Sequence, residues 1–357
     1  MRRLGLALMA AGMLVFGMSV YLGLASLRTV RAVATPPVTA HTMMRLPGSI
    51  YLVQQGGIYR LRAGEFSLLA PAAGHWSQPA LLPDGSGLVA SSTPGPYSDL
   101  YLLDMQGRTV RRLTDDRSAD LPSNHWAYYP AISPDSKSVY YSTDDPKNGY
   151  QVDFAIWSRP LSQGLAPVQV TDPNQYTGGD VEPNLLPGGA LLFVRHSIDD
   201  QGVYSEVWLQ RGRFTAGVPL TTRQQDCREP ALSPAGDRVA LVCTSGRQQS
   251  HLVIAAFDGT RLGPLHEVVT DSLAAAPVWA PDGSGLAFLA PGPAGSRFQL
   301  WWLEAAALQV VQDQPPSPGP SSDPSSPAAS ISITAVRPVA VTTGLDLDPL
   351  SPPRWAP

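Results

Sequence analysis

The chain of 357 residues carries 25 Lys or Arg against 29 Asp or Glu, a formal net charge of −4, and 43% of it is apolar. That balance argues against nucleic acid as the main partner, because phosphate neutralisation needs a clustered basic surface. The apolar content supports a packed core and excludes disorder throughout, while a mean hydropathy of −0.04 excludes a polytopic membrane protein.

At the N-terminus, residues 4–27 form a run of 24 residues without a charge. As a helix it reaches about 36 Å at about 1.5 Å per residue, enough for a hydrocarbon core of about 30 Å. Arg2 and Arg3 precede the run and Arg28 and Arg31 follow it, so the positive-inside rule orients it poorly. Ala32-Val33-Ala34 resembles a small-residue cleavage site, but a cleaved signal has an apolar region of only about 7 to 15 residues. Length therefore favours an uncleaved single-pass anchor over residues 1–31, with secretion the outcome if the segment is cleaved. Residues 32–47 read as a tether.

Three apolar strands follow, at 49–53, 57–61 and 66–69, and then a phrase that begins with proline recurs. Its copies start at Pro79, Pro130, Pro183, Pro230, Pro277 and Pro353, separated by 51, 53, 47, 47 and 76 residues. A period near 50 residues indicates four-stranded propeller blades. Each phrase supplies an inner strand, a turn such as Pro83-Asp84-Gly85, and a second strand such as Gly87-Leu88-Val89-Ala90-Ser91. A third strand such as 99–104 and an outer strand such as 109–114 complete the unit.

The long last step calls for an insertion, and the Pro/Ser-rich run at about 312–330 lacks the apolar content to pack, so a disordered loop is expected there. The sixth phrase, Pro353-Arg354-Trp355-Ala356-Pro357, stops at its turn. Pairing it with residues 50–53 would close the ring and remove exposed sheet edges. The expected fold is all-β: a six-bladed propeller of four-stranded antiparallel blades over residues 48–357, closed by its terminal strands, with one N-terminal transmembrane helix.

Ser133-Pro134-Asp135, Ala280-Pro281-Asp282-Gly283 and the run Asp99-Leu100-Tyr101-Leu102-Leu103-Asp104 followed by Arg111-Arg112-Leu113-Thr114 resemble the WD40-like Pro-Asp repeat of TolB-type propellers. The resemblance implies a six-bladed propeller that works outside the cytoplasm as a protein-binding platform. It does not carry a Tol-Pal partnership, because an anchor stands here in place of TolB's additional N-terminal domain. Fold does not set function by itself.

Cys227 and Cys243 are the only cysteines and flank one proline-phrase hairpin symmetrically. They read either as a disulfide, suited to an oxidising compartment, or as two reduced cysteines packed in the blade. A register slip of one residue would point them to opposite faces. His75-Trp76 and His125-Trp126 stand just ahead of consecutive inner strands, with Tyr129 beside the second pair, and the next two blades carry Asp180 and Glu182, then Asp226, Arg228 and Glu229. Together these residues suggest a polar channel mouth with aromatic walls, to be weighed against interblade packing and solvated loop charge. Longer loops at 144–150 and 197–204 are placed on the same face.

The six histidines show no metal-ligand spacing, and neither a nucleophile elbow nor a phosphate-binding loop occurs. No metal or cofactor is therefore expected. The reading is a non-catalytic, membrane-anchored extracytoplasmic scaffold that binds an envelope protein, peptide or glycan through its channel-mouth loops. The alternative is an enzyme of hydrolase or lyase type, with or without the assistance of a metal, whose site is dispersed over several blades.

Overall fold

A computed structural model describes residues 44–147, 152–200, 202–213, 215–244, 249–292, 297–312 and 337–357. After three strands, β1 (Ser49–Gln54), β2 (Gly57–Arg62) and β3 (Glu65–Ala70), the chain lays down five complete four-stranded units. Blade 2 comprises β4 (Trp76–Leu81), β5 (Gly87–Gly95), β6 (Tyr97–Asp104) and β7 (Thr109–Arg112). Blade 3 comprises β8 (Ala127–Ile132), β9 (Ser138–Thr143), β10 (Ala155–Pro160) and β11 (Val168–Gln169). Blade 4 follows with β12 (Asp180–Leu185), β13 (Leu191–Asp199), β14 (Gly202–Gln210) and β15 (Val218–Pro219). Blade 5 has β16 (Cys227–Leu232), β17 (Arg238–Cys243), β18 (His251–Ala256) and β19 (His266–Val269), and blade 6 has β20 (Ala275–Trp279), β21 (Gly285–Pro291), β22 (Phe298–Glu304) and β23 (Val339–Ala340).

The last strand, β24 (Arg354–Ala356), pairs antiparallel with β1 in the register Ser49↔Ala356, Ile50↔Trp355 and Tyr51↔Arg354. Blade 1 thus has the order β24-β1-β2-β3, and six four-stranded sheets close the ring as expected from the truncated sixth phrase. Gly48 makes the approach possible: its φ is +69°, and a Cβ there would lie 2.1 Å from the carbonyl oxygen of Ala356. Both ends of the propeller chain therefore meet on the face that carries the inner hairpin turns, here the turn face. The interblade connections lie on the opposite, loop face.

The core lies between blades, where the facing sheets interdigitate. Leu82, Val89 and Leu100 of blade 2 pack with Ala127, Val139 and Tyr141 of blade 3, and the same arrangement joins Leu192 and Val207 to Val239 and Leu241 across blades 4 and 5. A second recurring device shortens the outer strands. Leu100, Ile156, Val207 and Leu300 each donate their N–H to a threonine hydroxyl, of Thr114, Thr171, Thr221 and Thr342, at 2.8–3.0 Å. The threonine side chain takes over a ladder bond, so β7 ends at Arg112, short of Thr114 where the outer strand was expected to end.

The repeated proline sits in a β-bulge. Pairing shifts register across residues 78–79, 129–130, 182–183, 229–230 and 276–277. Proline has no N–H to give a ladder, which confines it to such an irregularity. The residue before it is left-handed in every complete blade: Gln78 at φ 51°, Tyr129 at 53°, Glu182 at 56°, Glu229 at 55° and Ala276 at 52°.

The bulge also decides the cysteine register. The β16–β17 turn is one residue longer than a symmetric hairpin needs, with Leu232 opposite Val239; the bulge takes that residue back, so Cys227 faces Cys243. They form a disulfide, with Cα atoms 4.1 Å apart.

A short helix, α1 (Ala305–Gln312), follows β22 and ends where the Pro/Ser-rich insertion was expected to begin. Ala305-Ala306-Ala307-Leu308 is a strong helix-forming run, and buried Leu308 ties it to the core. The insertion expected at about 312–330 lies, from residue 313 on, outside the described residues, which resume at Arg337, and so do the anchor and most of the tether, 1–43. Among the described residues no helix is long and apolar enough to cross a membrane.

Candidate functional site

The five left-handed positions form a girdle around the central channel. Three of the five side chains accept the N–H of the next blade's equivalent residue. Gln78 Oε1 accepts from Tyr129 N–H at 2.8 Å, Glu182 Oε2 accepts from Glu229 N–H at 2.6 Å, and Glu229 Oε2 accepts from Ala276 N–H. Ala276 offers no acceptor, and the next residue in the ring, Pro352, has no N–H to satisfy. Ser351 beside it restores the pattern by accepting the Gln78 N–H at 3.1 Å on Oγ.

Two cavities meet at this girdle, sharing Tyr129, Glu182, Glu229 and Pro352. The turn-face cavity, about 240 Å³, is walled by Pro183, Pro230, Pro277, Trp279 and Trp355, with Arg354 among its lining. The loop-face cavity, about 480 Å³, is walled by Tyr128, Phe154, Val203, Leu350 and His196, with Arg228 at its floor. Its rim is apolar and open, with Leu350 71% and Val203 56% exposed.

Burial governs the electrostatics at the girdle. It pushes the Glu182 carboxyl up to about 8, reinforced by the neighbouring Glu229 charge and opposed by the Glu229 N–H and by Arg228 and Arg354. Burial raises Glu229 as well, against the Ala276 N–H and the Arg228 guanidinium, whose Nε lies 3.5 Å from Glu229 Oε1. Arg354 is lowered to about 10 by burial and remains cationic at neutral pH. The Tyr129 hydroxyl is raised by burial and the two glutamates, and His196 is lowered by burial.

Of the residues singled out in the sequence, the channel brings together Tyr129, Glu182, Arg228 and Glu229. Trp126 stacks on Tyr128 at 5.8 Å, behind the loop-face wall. His125 Nδ1 lies 3.4 Å from Asp144 Oδ1, which also accepts the Trp126 N–H at 2.8 Å. The others stand elsewhere. His75 is exposed beyond a 3-10 turn and lines neither cavity. Trp76 is 8% exposed and packs edge-on against Tyr101 in the core between blades 1 and 2. Asp180 is fully buried in a bidentate pair with Arg195, both bonds 2.7 Å. Asp226 accepts from Ser205 N–H at 2.8 Å and from the Thr244 hydroxyl.

Sequence reasoning missed Gln78, Arg354, Phe154, His196 and Leu350. The first two had a signal: aligning the phrases on proline puts Gln78 in the column of Glu182 and Glu229, and Arg354 alone brings a charge to the column of Ala80, Ala131, Asn184, Ala231 and Val278. Among the described residues no three His, Cys, Asp or Glu are grouped to hold a metal ion.

The fold is similar to that of TolB propellers. TolB from Acinetobacter baumannii superposes with a TM-score of 0.56 at 17% identity, over 72% of this chain and 61% of its own length. A putative TolB from Agrobacterium tumefaciens gives 0.52 at 17% identity over 72% and 84% of the two chains. A chain of a nidogen/laminin complex gives 0.53 at 11% identity, over 72% of this chain and 89% of its own. At these identities the likeness is one of fold. No family model matches the sequence, and no curated protein matches it.

Proposed function

We propose that the chain is a membrane-anchored extracytoplasmic binding platform that takes a protein or peptide segment at its loop-face channel mouth. The observation that carries this reading is the mouth itself: an open cavity of about 480 Å³ with exposed Leu350 and Val203 at the rim, Tyr128 and Phe154 in its wall, and the charged girdle as its floor. Apolar rims over a polar floor suit an amphipathic segment. Strands β1 and β24 place Ser49 and Ala356 on the opposite face of the propeller from this mouth. The uncharged run at 4–27 and the Cys227–Cys243 disulfide support the compartment. A glycan ligand and a nidogen-like protein interface fall within the same reading.

The competing reading, an enzyme with a dispersed site, draws on Glu182 and Glu229, two carboxyls raised by burial in one channel. Yet one oxygen of each already holds the next blade in place.

The test compares the full-length chain with Leu350→Asp and Tyr128→Ala variants in its own host, reading which envelope proteins co-purify and whether hydrolase activity toward ester, lactone and peptide substrates is present. Platform function predicts one partner set lost in both variants without change in the thermal midpoint. Hydrolysis that survives Leu350→Asp and disappears in Glu182→Gln would replace it with the enzyme reading.

A further inference from the structure

The turn-face cavity has its own chemistry, separate from the loop-face mouth. Arg354 Nε donates to the Pro79 carbonyl at 3.0 Å, which anchors the side chain across blades 1 and 2. Its two terminal nitrogens make no hydrogen bond or ion pair with the described residues, and Arg354 is among the residues that line the cavity. A desolvated guanidinium with an open bidentate edge is matched by a carboxylate. The walls beside it are apolar and fixed. Trp279 Nε1 is held by the Ala231 carbonyl at 2.9 Å and Trp355 Nε1 by the Pro47 carbonyl at 2.8 Å, and Pro183, Pro230 and Pro277 complete the surround.

We propose that this cavity is a second binding site, taking a compact carboxylate with an apolar or aromatic body, the carboxylate on Arg354 and the body between the proline and tryptophan walls. A volume of about 240 Å³ admits one such group. Glu182 is the natural competitor for Arg354. It is also faced by Glu229, Arg228 and Tyr129, and while it keeps its proton below about 8 it leaves the guanidinium available. Above that pH its charge repels an incoming carboxylate.

Calorimetric titration of the full-length protein in detergent tests the site, with N-acetyl-phenylalanine and its uncharged amide as probes. At pH 6.5 the acid should bind at least tenfold tighter than the amide, and the preference should fade between pH 7 and 9. Arg354→Gln should abolish the preference, whereas Glu182→Gln should retain it and remove its pH dependence. Since Arg354 lies in the closing strand, the acid-to-amide ratio and the Glu182→Gln profile stand even if Arg354→Gln fails to fold. A tetrapeptide, Gly-Gly-Gly-Phe, binding tighter than the single acylated residue assigns the carboxylate to a chain terminus; the reverse order assigns it to a free small acid. Equal binding of acid and amide, no heat from either, or a preference that survives Arg354→Gln would overturn the proposal.

Discussion

Glu182 reaches across a blade boundary to hold the backbone N–H of Glu229 at 2.6 Å, and Glu229 does the same for Ala276. The residue that the bulge turns into the channel thus joins its blade to the next. This relationship links the repeat to the site, because the groups that line the channel are those that close it.

Removing the acceptor should therefore cost stability. Glu182→Ala leaves the Glu229 N–H without its partner, and a loss of about 1–3 kcal/mol is expected in chemical denaturation. Glu182→Gln keeps an amide oxygen in place and should fold with near-native stability at pH 6. Equal destabilisation by both variants would count against the acceptor role of Glu182.

The same residue predicts a pH dependence. Its folded value of about 8 lies above the ordinary 4.5, so between these values the native state binds more protons than the unfolded chain. Its contribution is complete below about 4.5, declines as pH rises and is gone above about 8. At about 1.4 kcal/mol per pKa unit the loss is at most about 5 kcal/mol, and screening by the open channel reduces it. Stability measured from pH 5 to 9 should fall in the wild type and fall less in Glu182→Gln; parallel curves would refute the assignment.

Cys227 and Cys243 bridge the two strands of one hairpin, with a sequence separation of 16. Reduction, or a Cys227→Ala/Cys243→Ala double variant, should lower stability by no more than about 3 kcal/mol, because β16 and β17 stay paired without the bond. The circular dichroism spectrum should be unchanged and the denaturation midpoint lower. An unchanged midpoint under reductant would count against a structural role.

Asp180 and Arg195 form a desolvated bidentate pair inside blade 4, with the guanidinium 4.7 Å above the Trp208 ring. Asp180→Asn strands that cation, and a loss of about 3–5 kcal/mol follows. A thermal midpoint within a degree of wild type would contradict this role.

The architecture was legible because the proline phrase marks one structural event in each blade. Its spacing yielded six blades, and the truncated copy at Pro353 yielded the closure through β1 and β24. Tyr129, Glu182 and Glu229 were legible as candidates but not as members of one ring, because the left-handed bulge that turns the residue before each proline into the channel has no residue type of its own: Gln, Tyr, Glu and Ala all occupy it. A residue such as Trp76 looks the same in sequence whether it faces a channel or a blade interface, and interblade packing decides it. Asp180 likewise reads as a mouth charge until Arg195, 15 residues later, folds back on it. Leu350 and Phe154 reach the mouth through connections outside the phrase, where no repeat constrains position.

The most direct measurement places a photo-crosslinking amino acid at Leu350 on the mouth or at Leu68 on the outer rim, both exposed in the folded chain, in the full-length protein expressed in its own host. A binding platform that works through its loop face should capture a discrete envelope protein from position 350 and not from position 68, and Tyr128→Ala should abolish the adduct. Identical adducts from both positions, or none from position 350, would contradict the account.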